Sequence, residues 1–463
     1  MIDSLYERSI MSQVFKPLTG NEDDMIVAEP NIKVGICESS EDVKIRLSGV
    51  FDIGGLPVSG LLRVTAKEGK IRILDEDGRE PVCREKIICR PAPGSTFAVC
   101  DVTIGMRFHW ERKQEEIFGG AFELIVSGSD KITVINEISL EDYLLSVISS
   151  EMSAASPPEF LKAHAVISRS WLMAAISRKK RQALVPPQRQ ENEIVCWRDR
   201  EDHEFFDVCA DDHCQRYQGI VKTGQGRAAE AVAATRGVFL VQNGEICDTR
   251  YHKACGGLTE NFRTAWEDKD VPYLSCISDA KMEHAPIQTE EQAAQWIRSL
   301  PDAYCNTKDE QTLKQILPSF DQETKDFFRW QIEYRRHELE EILRKKTGKD
   351  FGVLYGIVPL ARGPSGRIFR LRISGSEISL IVGKELEIRR VLSRSHLLSS
   401  AFVVSVEFST TGLPEKFILH GAGWGHGVGL CQIGAAVMAT KGFAAEEILT
   451  HYFRGACLKK LYD

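Results

Sequence analysis

The first third of the chain alternates apolar and polar residues with a period of two. Between Ile32 and about Asn136, short runs such as 43–47, 70–74 and 122–126 are separated by Gly and Asp turns. This pattern is typical of half-buried antiparallel strands, because successive side chains of a strand point to opposite faces. It predicts an N-terminal β-rich domain over residues 1–130.

A helical section follows these strands. Residues 139–152 carry an apolar stripe at helical spacing, and a second, longer stripe continues to about Arg178. The second helix has a start signal in which Ser156 fits an N-cap, two prolines follow, and Glu159 fits a capping-box glutamate. The spacing therefore predicts two helices, of which the second is long.

The remainder of the chain mixes both patterns. Strands are predicted again over 237–251, and residues 281–350 are rich in charged helical sequence, most clearly at 331–343. Strands return at 368–382, and a glycine-rich loop precedes a helix that begins near Cys431.

These elements predict an α+β protein. Its N-terminal β-rich domain precedes a mixed α/β catalytic domain formed by residues 131–280 and 351–463. Residues 281–350 are predicted to be a helical insertion in that domain. The ends of the insertion are expected to lie close together, because an insertion that leaves its host fold intact returns the chain near its exit point.

Composition excludes several functional classes. The 463 residues are 43% hydrophobic, with a net charge of -7 and no dense basic run, which argues against electrostatic capture of nucleic acid. We find no signal-peptide pattern and no apolar run long enough to span a bilayer, so no transmembrane segment is expected. Thirteen dispersed cysteines leave the redox compartment open.

Glu151 is the first candidate for chemistry. It continues the apolar stripe of the first predicted helix, one turn beyond buried aliphatic residues. Desolvation at such a position disfavours a charged carboxylate, which is a property of general acids. The structural alternative is a glutamate at a frayed helix end that forms a salt bridge with Lys162 or Arg169.

The second candidate is a group of metal-ligand residues within a dozen positions. Two thiols and two imidazoles match the set that tetrahedral zinc prefers, although adjacent ligands require a sharp backbone turn. The alternatives are a reduced, unliganded loop and a disulfide between the two cysteines. The four residues are His203, Cys209, His213 and Cys214.

Two further segments are rich in glycine. Residues 421–434 surround Trp424 and His426 with alternating glycines, which allow the backbone to approach a ligand closely. A plain glycine-rich hairpin explains the glycines but not the Trp and His. Cys255, beside two glycines, could be a nucleophile with His252 or His426 as its base, or a small packed residue.

Taken together and in order, these segments resemble the stage II sporulation protein D/LytB (SpoIID/LytB, amidase-enhancer) domain from about Val134 to the C-terminus. The chain departs from the family pattern at His164 and Cys255, where the family usually has Gln and Ser. The shared motifs are Glu141-Asp142-Tyr143, Glu151-Met152, the stretch from Leu161 to Arg169, Thr235-Arg236-Gly237, Tyr251 with Gly256-Gly257 and Thr259, Pro272-Tyr273-Leu274, Gly366-Arg367 and Gly423 to Gly429.

The resemblance implies a lytic transglycosylase that cleaves peptidoglycan glycan strands, with Glu151 as the catalytic residue. It also implies a zinc site, mainly structural, at the His/Cys group. From their chemistry we expect Trp424 to stack on a sugar and His426 to hydrogen-bond one. Among residues of the shared motifs, Lys162, Arg169 and Tyr251 are expected to bind substrate as well.

Two rival readings remain at this point. In the first, the protein binds peptidoglycan without cutting it and enhances a cell-wall amidase, which would then be its partner. In the second, the His/Cys group or Cys255 forms a zinc hydrolase or thiol enzyme. The family implies the cell envelope as location, and the cytoplasm stays open because no export signal is visible.

Overall fold

The computed structural model describes residues 28–76, 78, 83–105, 111–128, 130–179, 188–190, 192–197, 203–211, 213–220, 226–318, 321–322, 324 and 326–463. Helices and several separate sheets occur together, which confirms the predicted α+β class. The strands are β1 (Asn31–Ser40), β2 (Asp42–Ile53), β3 (Leu56–Lys67), β4 (Lys70–Leu74), β5 (Cys83–Arg84), β6 (Lys86–Pro91), β7 (Thr96–Ile104), β8 (Arg112–Phe118), β9 (Ala121–Ser127), β10 (Lys131–Ser139), β11 (Gln188–Gln190), β12 (Glu193–Val195), β13 (Val208–Cys209), β14 (Val238–Gln242), β15 (Glu245–Ile246), β16 (Tyr251–His252), β17 (Arg329–Arg335), β18 (Leu354–Arg362), β19 (Ile368–Gly375), β20 (Ser379–Gly383), β21 (Phe402–Phe408), β22 (Pro414–Ala422), β23 (Leu430–Cys431) and β24 (Cys457–Lys460).

The helices follow the predicted positions in most cases. They are α1 (Leu140–Glu151), α2 (Pro158–Lys179), α3 (Gly226–Ala234), α4 (Phe262–Ala265), α5 (Glu290–Arg298), α6 (Glu310–Ile316), α7 (Arg336–Thr347), α8 (Glu385–Val391), α9 (Gln432–Thr440) and α10 (Ala445–Tyr452), with a 3-10 turn at Pro272–Leu274. Within the described part of the chain, no helix is both long and apolar enough to cross a membrane.

The chain divides into two compact units. Unit 1 comprises residues 1–180, 200–246 and 458–463, and unit 2 comprises 181–199 and 247–457. This division joins the N-terminal strands to the first part of the predicted catalytic domain. It gives no separate unit to residues 1–130 or to residues 281–350.

Unit 1 is built on one large sheet with the strand order β13-β1-β10-β9-β6-β2-β3-β4-β5, in which β7 also pairs with β2 and β8. The predicted alternation is seen in β2, where Val43, Ile45 and Leu47 are buried and the residues between them are exposed. The short edge strand β13 pairs in parallel with β1, with Cys209 opposite Gly35. This pairing fixes one of the candidate metal ligands to the sheet.

The helices of unit 1 begin differently from each other. Ser139 caps α1 as expected, since its hydroxyl oxygen accepts a hydrogen bond from the Asp142 amide at 3.2 Å. The predicted capping box of α2 is wrong. Ser156 Oγ is buried with no hydrogen bond to any described residue, and Glu159 accepts a hydrogen bond from Lys162 Nζ instead. The start of α2 at Pro158 agrees with the proline preference for a first turn.

Unit 2 contains a sheet β11-β12-β20-β19-β18, a sheet β17-β22-β21 and the parallel pair β16-β23. Its largest core cluster packs the inner faces of the two sheets with α7 and α8. The residues that fill this cluster are mostly Leu, Ile, Val and Phe, whose burial is the main favourable contribution to folding.

One part of the predicted helical insertion is a strand. Residues 331–335 were predicted to begin a charged helix. In the structure they belong to β17, where Trp330, Ile332 and Tyr334 alternate with polar residues and the strand pairs with β22. The helix begins only at Arg336. Trp330 and Tyr334 are buried in the core of unit 2, so tertiary packing decided between two patterns that the sequence left ambiguous.

Candidate active site and metal centre

Glu151 is the last residue of α1 in unit 1. The residues one turn before it, Val147 and Ile148, are fully buried, and so is Met152 after it. Only 9% of Glu151 is exposed, so the carboxylate lies at the edge of an apolar core. This position is the one that the apolar stripe predicted.

The Glu151 carboxylate is held by the backbone of another segment. The Arg216 amide donates a hydrogen bond to Glu151 Oε1 at 3.0 Å. The two cations considered as salt-bridge partners for Glu151 bind other acids. Lys162 Nζ lies 2.7 Å from Glu159 Oε1, and Arg169 pairs with Glu141.

Residues 215–218 are fastened to the same region by three more hydrogen bonds. The Tyr143 hydroxyl donates to Gln215 Oε1 at 3.1 Å, and the Gln218 amide donates to Ser146 Oγ at 3.0 Å. The Tyr217 hydroxyl donates to the Asn136 side-chain oxygen at 2.5 Å. Because Tyr143 and Ser146 lie on α1, this segment and the helix that ends in Glu151 are fixed to each other.

The four predicted metal ligands converge directly before this segment. One donor atom from each of His203, Cys209, His213 and Cys214 lies within 4.8 Å of the other three. His203 Nε2 is 3.4 Å and His213 Nδ1 is 3.5 Å from Cys214 Sγ, and His213 Nδ1 is 3.8 Å from Cys209 Sγ. In a tetrahedral zinc site such donors are separated by about 3.3–3.8 Å, so the residues fit a metal of this size.

A tight turn allows adjacent residues to face one centre. The Cys214 amide donates to the Asp211 carbonyl oxygen at 3.0 Å, which closes the turn in which His213 and Cys214 lie. The second ring nitrogen of His203, Nδ1, faces Glu38 Oε1 at 3.9 Å, which is too far for a direct hydrogen bond. The hydrogen bond with Cys214 and burial raise the pKa of Cys209 to about 12, so without a cation its thiol is protonated at neutral pH.

Arg169, predicted to bind substrate, occupies a buried position in unit 1. It is fully buried, and its Nε and Nη2 donate to the two oxygens of Glu141 at 2.9 and 2.6 Å. Its Nη1 donates to the Val238 carbonyl oxygen at 3.0 Å. Glu141 also accepts hydrogen bonds from the Gly237 amide and the Tyr462 hydroxyl, so these motif residues together join α1, α2, β14 and the C-terminus.

Three predicted substrate residues lie in unit 2. Tyr251 is half-buried in β16, which pairs with β23. The Trp424 ring is half-buried and stacks on Phe327 with a centroid distance of 5.2 Å and an interplanar angle of 28°. A sugar could therefore stack only on the face of Trp424 opposite Phe327.

His426 is half-buried beside Trp266, with ring centroids 4.9 Å apart. Burial, followed by the charges of neighbours including His252 and Arg250, lowers the pKa of His426 well below its usual range. The imidazole is therefore neutral near pH 7. Its Nδ1 accepts a hydrogen bond from the Val428 amide at 3.1 Å, so the ring proton is on Nε2, where it can be donated to a ligand.

The pKa values of Cys255 and His252 do not favour a thiol enzyme at Cys255. Burial raises the pKa of Cys255 well above its usual range, which keeps it protonated. His252 contacts the Val428 carbonyl oxygen through Nδ1 at 3.1 Å, and burial with the nearby Arg367 charge lowers its pKa to about 3. Cys255 Sγ instead lies 3.5 Å from Cys305 Sγ.

A groove of about 620 Å³ opens at the other end of α1 from Glu151. Asp142 and Leu145 line it from the helix, and Arg90 and Glu137 line it from the sheet. None of the predicted site residues is among its lining, so it gives no independent support for a substrate cleft.

The hydrogen-bond donor to Glu151 could not be identified from sequence patterns. Arg216 binds through its backbone amide, and any residue except proline could donate that hydrogen bond. The sequence contains a partial signal for the ion pair of Glu141 with Arg169. Both residues belong to the shared motifs, and both lie on buried helix faces. An Arg on the apolar face of a long helix is a signal for a buried acid partner.

The family comparisons divide the chain into two matched segments. Residues 128–242 match the family model described as Stage II sporulation protein (SpoIID). Residues 260–429 match a family described as a domain of unknown function, DUF8618. The SpoIID match includes Glu151, Arg169 and the four candidate His/Cys ligands, whereas Tyr251, Trp424 and His426 lie beyond it.

Similarity to curated proteins extends over most of the chain. An uncharacterized protein of Brachyspira hyodysenteriae is 25% identical over 333 residues, which are 72% of this chain and 70% of that protein. Stage II sporulation protein D of Bacillus subtilis is 23% identical over 325 residues, covering 69% of this chain and 74% of its own length. The protein of the same name from Bacillus amyloliquefaciens is 23% identical over 330 residues, with the same two coverages.

Proposed function

This chain carries a SpoIID domain at residues 128–242, and from that premise we propose that it is a peptidoglycan lytic transglycosylase with Glu151 as its general acid and base. Two relatives similar over most of the chain are named stage II sporulation protein D, which supports a role in sporulation or the cell wall. The same proposal implies the cell envelope as the site of action, since peptidoglycan is found there.

The position of Glu151 is the observation that carries this proposal. The carboxylate lies at the end of a buried helix inside the SpoIID match, and the Arg216 amide fixes one of its oxygens at 3.0 Å. A catalytic acid must be held in a defined orientation next to apolar surroundings, where proton transfer is efficient. Glu141 and Glu159 of the same region are both bound to cations, which disfavours them as acids.

A lytic transglycosylase needs only one such group. The Glu151 carboxylic acid donates its proton to the bridging oxygen while the bond from that oxygen to the anomeric carbon breaks. The C6 hydroxyl of the same muramic acid then attacks the anomeric carbon, and the Glu151 carboxylate accepts the hydroxyl proton. The product is a 1,6-anhydro ring, and the acid is regenerated without water as a reactant.

Within unit 2, taken by itself, two side chains have the chemistry to bind a sugar. Trp424 offers one ring face to a sugar, and His426 offers a fixed Nε2–H donor to a hydroxyl or N-acetyl oxygen. Tyr251 and the half-exposed Lys162 of unit 1 are retained as weaker candidates for the same role. Arg169 is not retained, because it is fully buried and bound to Glu141.

We assign zinc to the His203, Cys209, His213 and Cys214 group in a structural role. Four protein ligands leave no open position for a substrate or a water, and such closed sites stabilise folds. The metal would tie the turn at 211–214 to the sheet edge, directly before Arg216. Its contribution to catalysis would thus be to hold the amide that orients Glu151.

Replacing Cys209 by Ser is expected to remove about one equivalent of zinc, because a hydroxyl is a much poorer zinc ligand than a thiolate. The Arg216 amide should then exchange its hydrogen at least about tenfold faster, since its segment is no longer fixed. Metal analysis and hydrogen exchange by mass spectrometry measure both effects. Cys89→Ser, a buried cysteine of the same unit, is the control, and full zinc retention by Cys209→Ser would remove this site.

The activity is tested by product analysis. The protein is incubated with glycan strands, with and without stem peptides, and the masses of the products are measured by mass spectrometry. Anhydro ends are expected, because the C6 hydroxyl replaces water as the nucleophile. Reducing ends would indicate a hydrolase and contradict the proposal, and firm glycan binding without cleavage would favour the enhancer of a cell-wall amidase.

A further inference from the structure

Unit 2 contains a second group of metal-ligand side chains that the proposed reaction does not use. Cys255, Asp279, Cys305 and Cys431 are at most 2% exposed, and one donor atom from each lies within 4.8 Å of the other three. We propose that these four residues form a second metal site, which binds one zinc ion with three thiolates and one carboxylate. This proposal is independent of the proposed glycan cleavage.

The fold brings the four residues together from distant parts of the sequence. Cys255 follows β16, and Cys431 ends β23 at the start of α9. These two strands pair in parallel, with His252 opposite Cys431. The pairing therefore brings Cys255, just after the first strand, close to Cys431. Asp279 lies beyond the 3-10 turn at Pro272–Leu274, and Cys305 lies beyond α5. The Asp279 amide donates a hydrogen bond to the Gly257 carbonyl oxygen at 3.0 Å.

The donor distances suit a single tetrahedral ion. Cys255 Sγ and Cys305 Sγ are 3.5 Å apart, and two thiolates bound to the same zinc are separated by about 3.8 Å. A polynuclear iron–sulfur cluster needs a wider arrangement, because its inorganic atoms lie between the cysteine sulfurs. Three thiolates and a carboxylate on one ion are ligands that zinc accepts.

Outer hydrogen bonds hold the donors in position. Cys431 Sγ accepts from the Cys255 and Gly434 amides at 3.3 and 3.4 Å, and Cys255 Sγ accepts from the Gly257 amide at 3.3 Å. Amide donors directed at sulfur stabilise a thiolate, and the start of α9 adds a favourable dipole at Cys431.

Asp279 is oriented in the same way. The Tyr452 hydroxyl donates to its Oδ1 at 2.5 Å, and the Cys305 amide donates to its Oδ2 at 3.0 Å. A Cβ atom at Gly434 would lie only 2.4 Å from Asp279 Oδ1, so glycine is required there for the carboxylate to enter the group. Carboxylates that bind a metal directly are usually held by hydrogen bonds of this kind.

The surrounding charge also favours an anionic centre. One divalent ion with three thiolates and one carboxylate has a net charge of about -2. The guanidinium of Arg367, fully buried, donates to the Cys255 carbonyl oxygen at 3.1 Å, and that of Arg329 donates to the Gly256 carbonyl oxygen at 3.0 Å. Arg367 already has the carboxylates of Glu260 and Glu385 nearby, so a metal-thiolate group would add negative charge chiefly for Arg329.

The proposed site would join the two ends of the segment that matches the domain of unknown function. Cys255 and Cys431 lie just outside residues 260–429, and Asp279 and Cys305 lie inside them. With all four positions filled by protein and no exposure to solvent, the ion would have a structural role. It would replace the disulfide that two of these cysteines could otherwise form.

Metal stoichiometry in paired variants tests the proposal. A full-length Cys209→Ser variant, purified without chelator under reducing conditions, is expected to retain about one equivalent of zinc, bound in unit 2. Adding Cys305→Ser should lower this to roughly zero, whereas adding Cys196→Ser, a buried cysteine of unit 2 outside the group, should not change it. If the His203/Cys209/His213/Cys214 group binds no zinc, the parental protein and Cys209→Ser will contain equal amounts of zinc. The comparison of Cys209→Ser with and without Cys305→Ser is unaffected by that result.

A second measurement covers the case in which Cys305→Ser does not fold. Cobalt(II) replaces the zinc of the Cys209→Ser variant, and a strong thiolate-to-cobalt absorption band is expected. Absence of both the band and the zinc from this folded variant would overturn the proposal. A disulfide joining Cys255 and Cys305, found by peptide mapping of the unreduced parental protein, would overturn it as well.

Discussion

Replacing Glu151 by Gln is expected to reduce glycan cleavage by on the order of a hundredfold or more, the usual scale of general acid catalysis. The amide keeps the size of the side chain, and its oxygen can still accept the hydrogen bond from the Arg216 amide. It has no titratable proton to give to the bridging oxygen. Cleavage should therefore stop while folding and glycan binding persist.

The matched control for this variant is Glu159→Gln. Glu159 lies at the start of the next helix and forms a half-exposed pair with Lys162, so its replacement should leave cleavage near the parental rate. Initial rates of anhydro-muropeptide release, measured with equal amounts of folded protein, compare the variants. Release by Glu151→Gln at the parental rate would exclude Glu151 as the acid.

Replacing Arg169 by Met is expected to destabilise unit 1 by about 3–5 kcal/mol, the cost of breaking a buried ion pair. Methionine is similar in length and fits an apolar helix face, but it leaves the Glu141 carboxylate buried without its cation. The hydrogen bonds from the Gly237 amide and the Tyr462 hydroxyl remain and compensate only in part.

Two other variants identify the cause of this effect. The double variant Arg169→Met/Glu141→Gln should recover part of the stability, because it removes the unpaired charge together with its partner. Lys162→Met, which removes a half-exposed ion pair, should change the stability by less than about 1 kcal/mol. Hydrogen exchange of peptides from α1 and α2 follows unit 1 specifically, since the two units could unfold separately.

The outcome also separates two roles of Arg169. A buried structural arginine predicts a large loss of stability. If Arg169→Met were as stable as the parental protein but bound glycan poorly, Arg169 would contact substrate and its structural role would be excluded.

Local sequence determined the elements around the candidate site. The period-two runs predicted the strands of unit 1, and the apolar stripe ending in Glu151 predicted α1 with the residue on its buried side. The four His/Cys residues could be grouped from the sequence because they lie within a dozen positions, so their convergence needs only a local turn. Short-range patterns are visible in sequence because the backbone periodicities of helices and strands are fixed.

Only the tertiary structure decided what depends on distant residues. The Arg216 amide that holds Glu151 is 65 positions away, and it acts through the backbone, which leaves no trace in residue type. The pairing of Arg169 with Glu141 joins two helices and is decided by their packing. Cys255 and Cys431 are 176 positions apart and meet because β16 and β23 pair, so their grouping with Asp279 and Cys305 follows from packing and not from spacing.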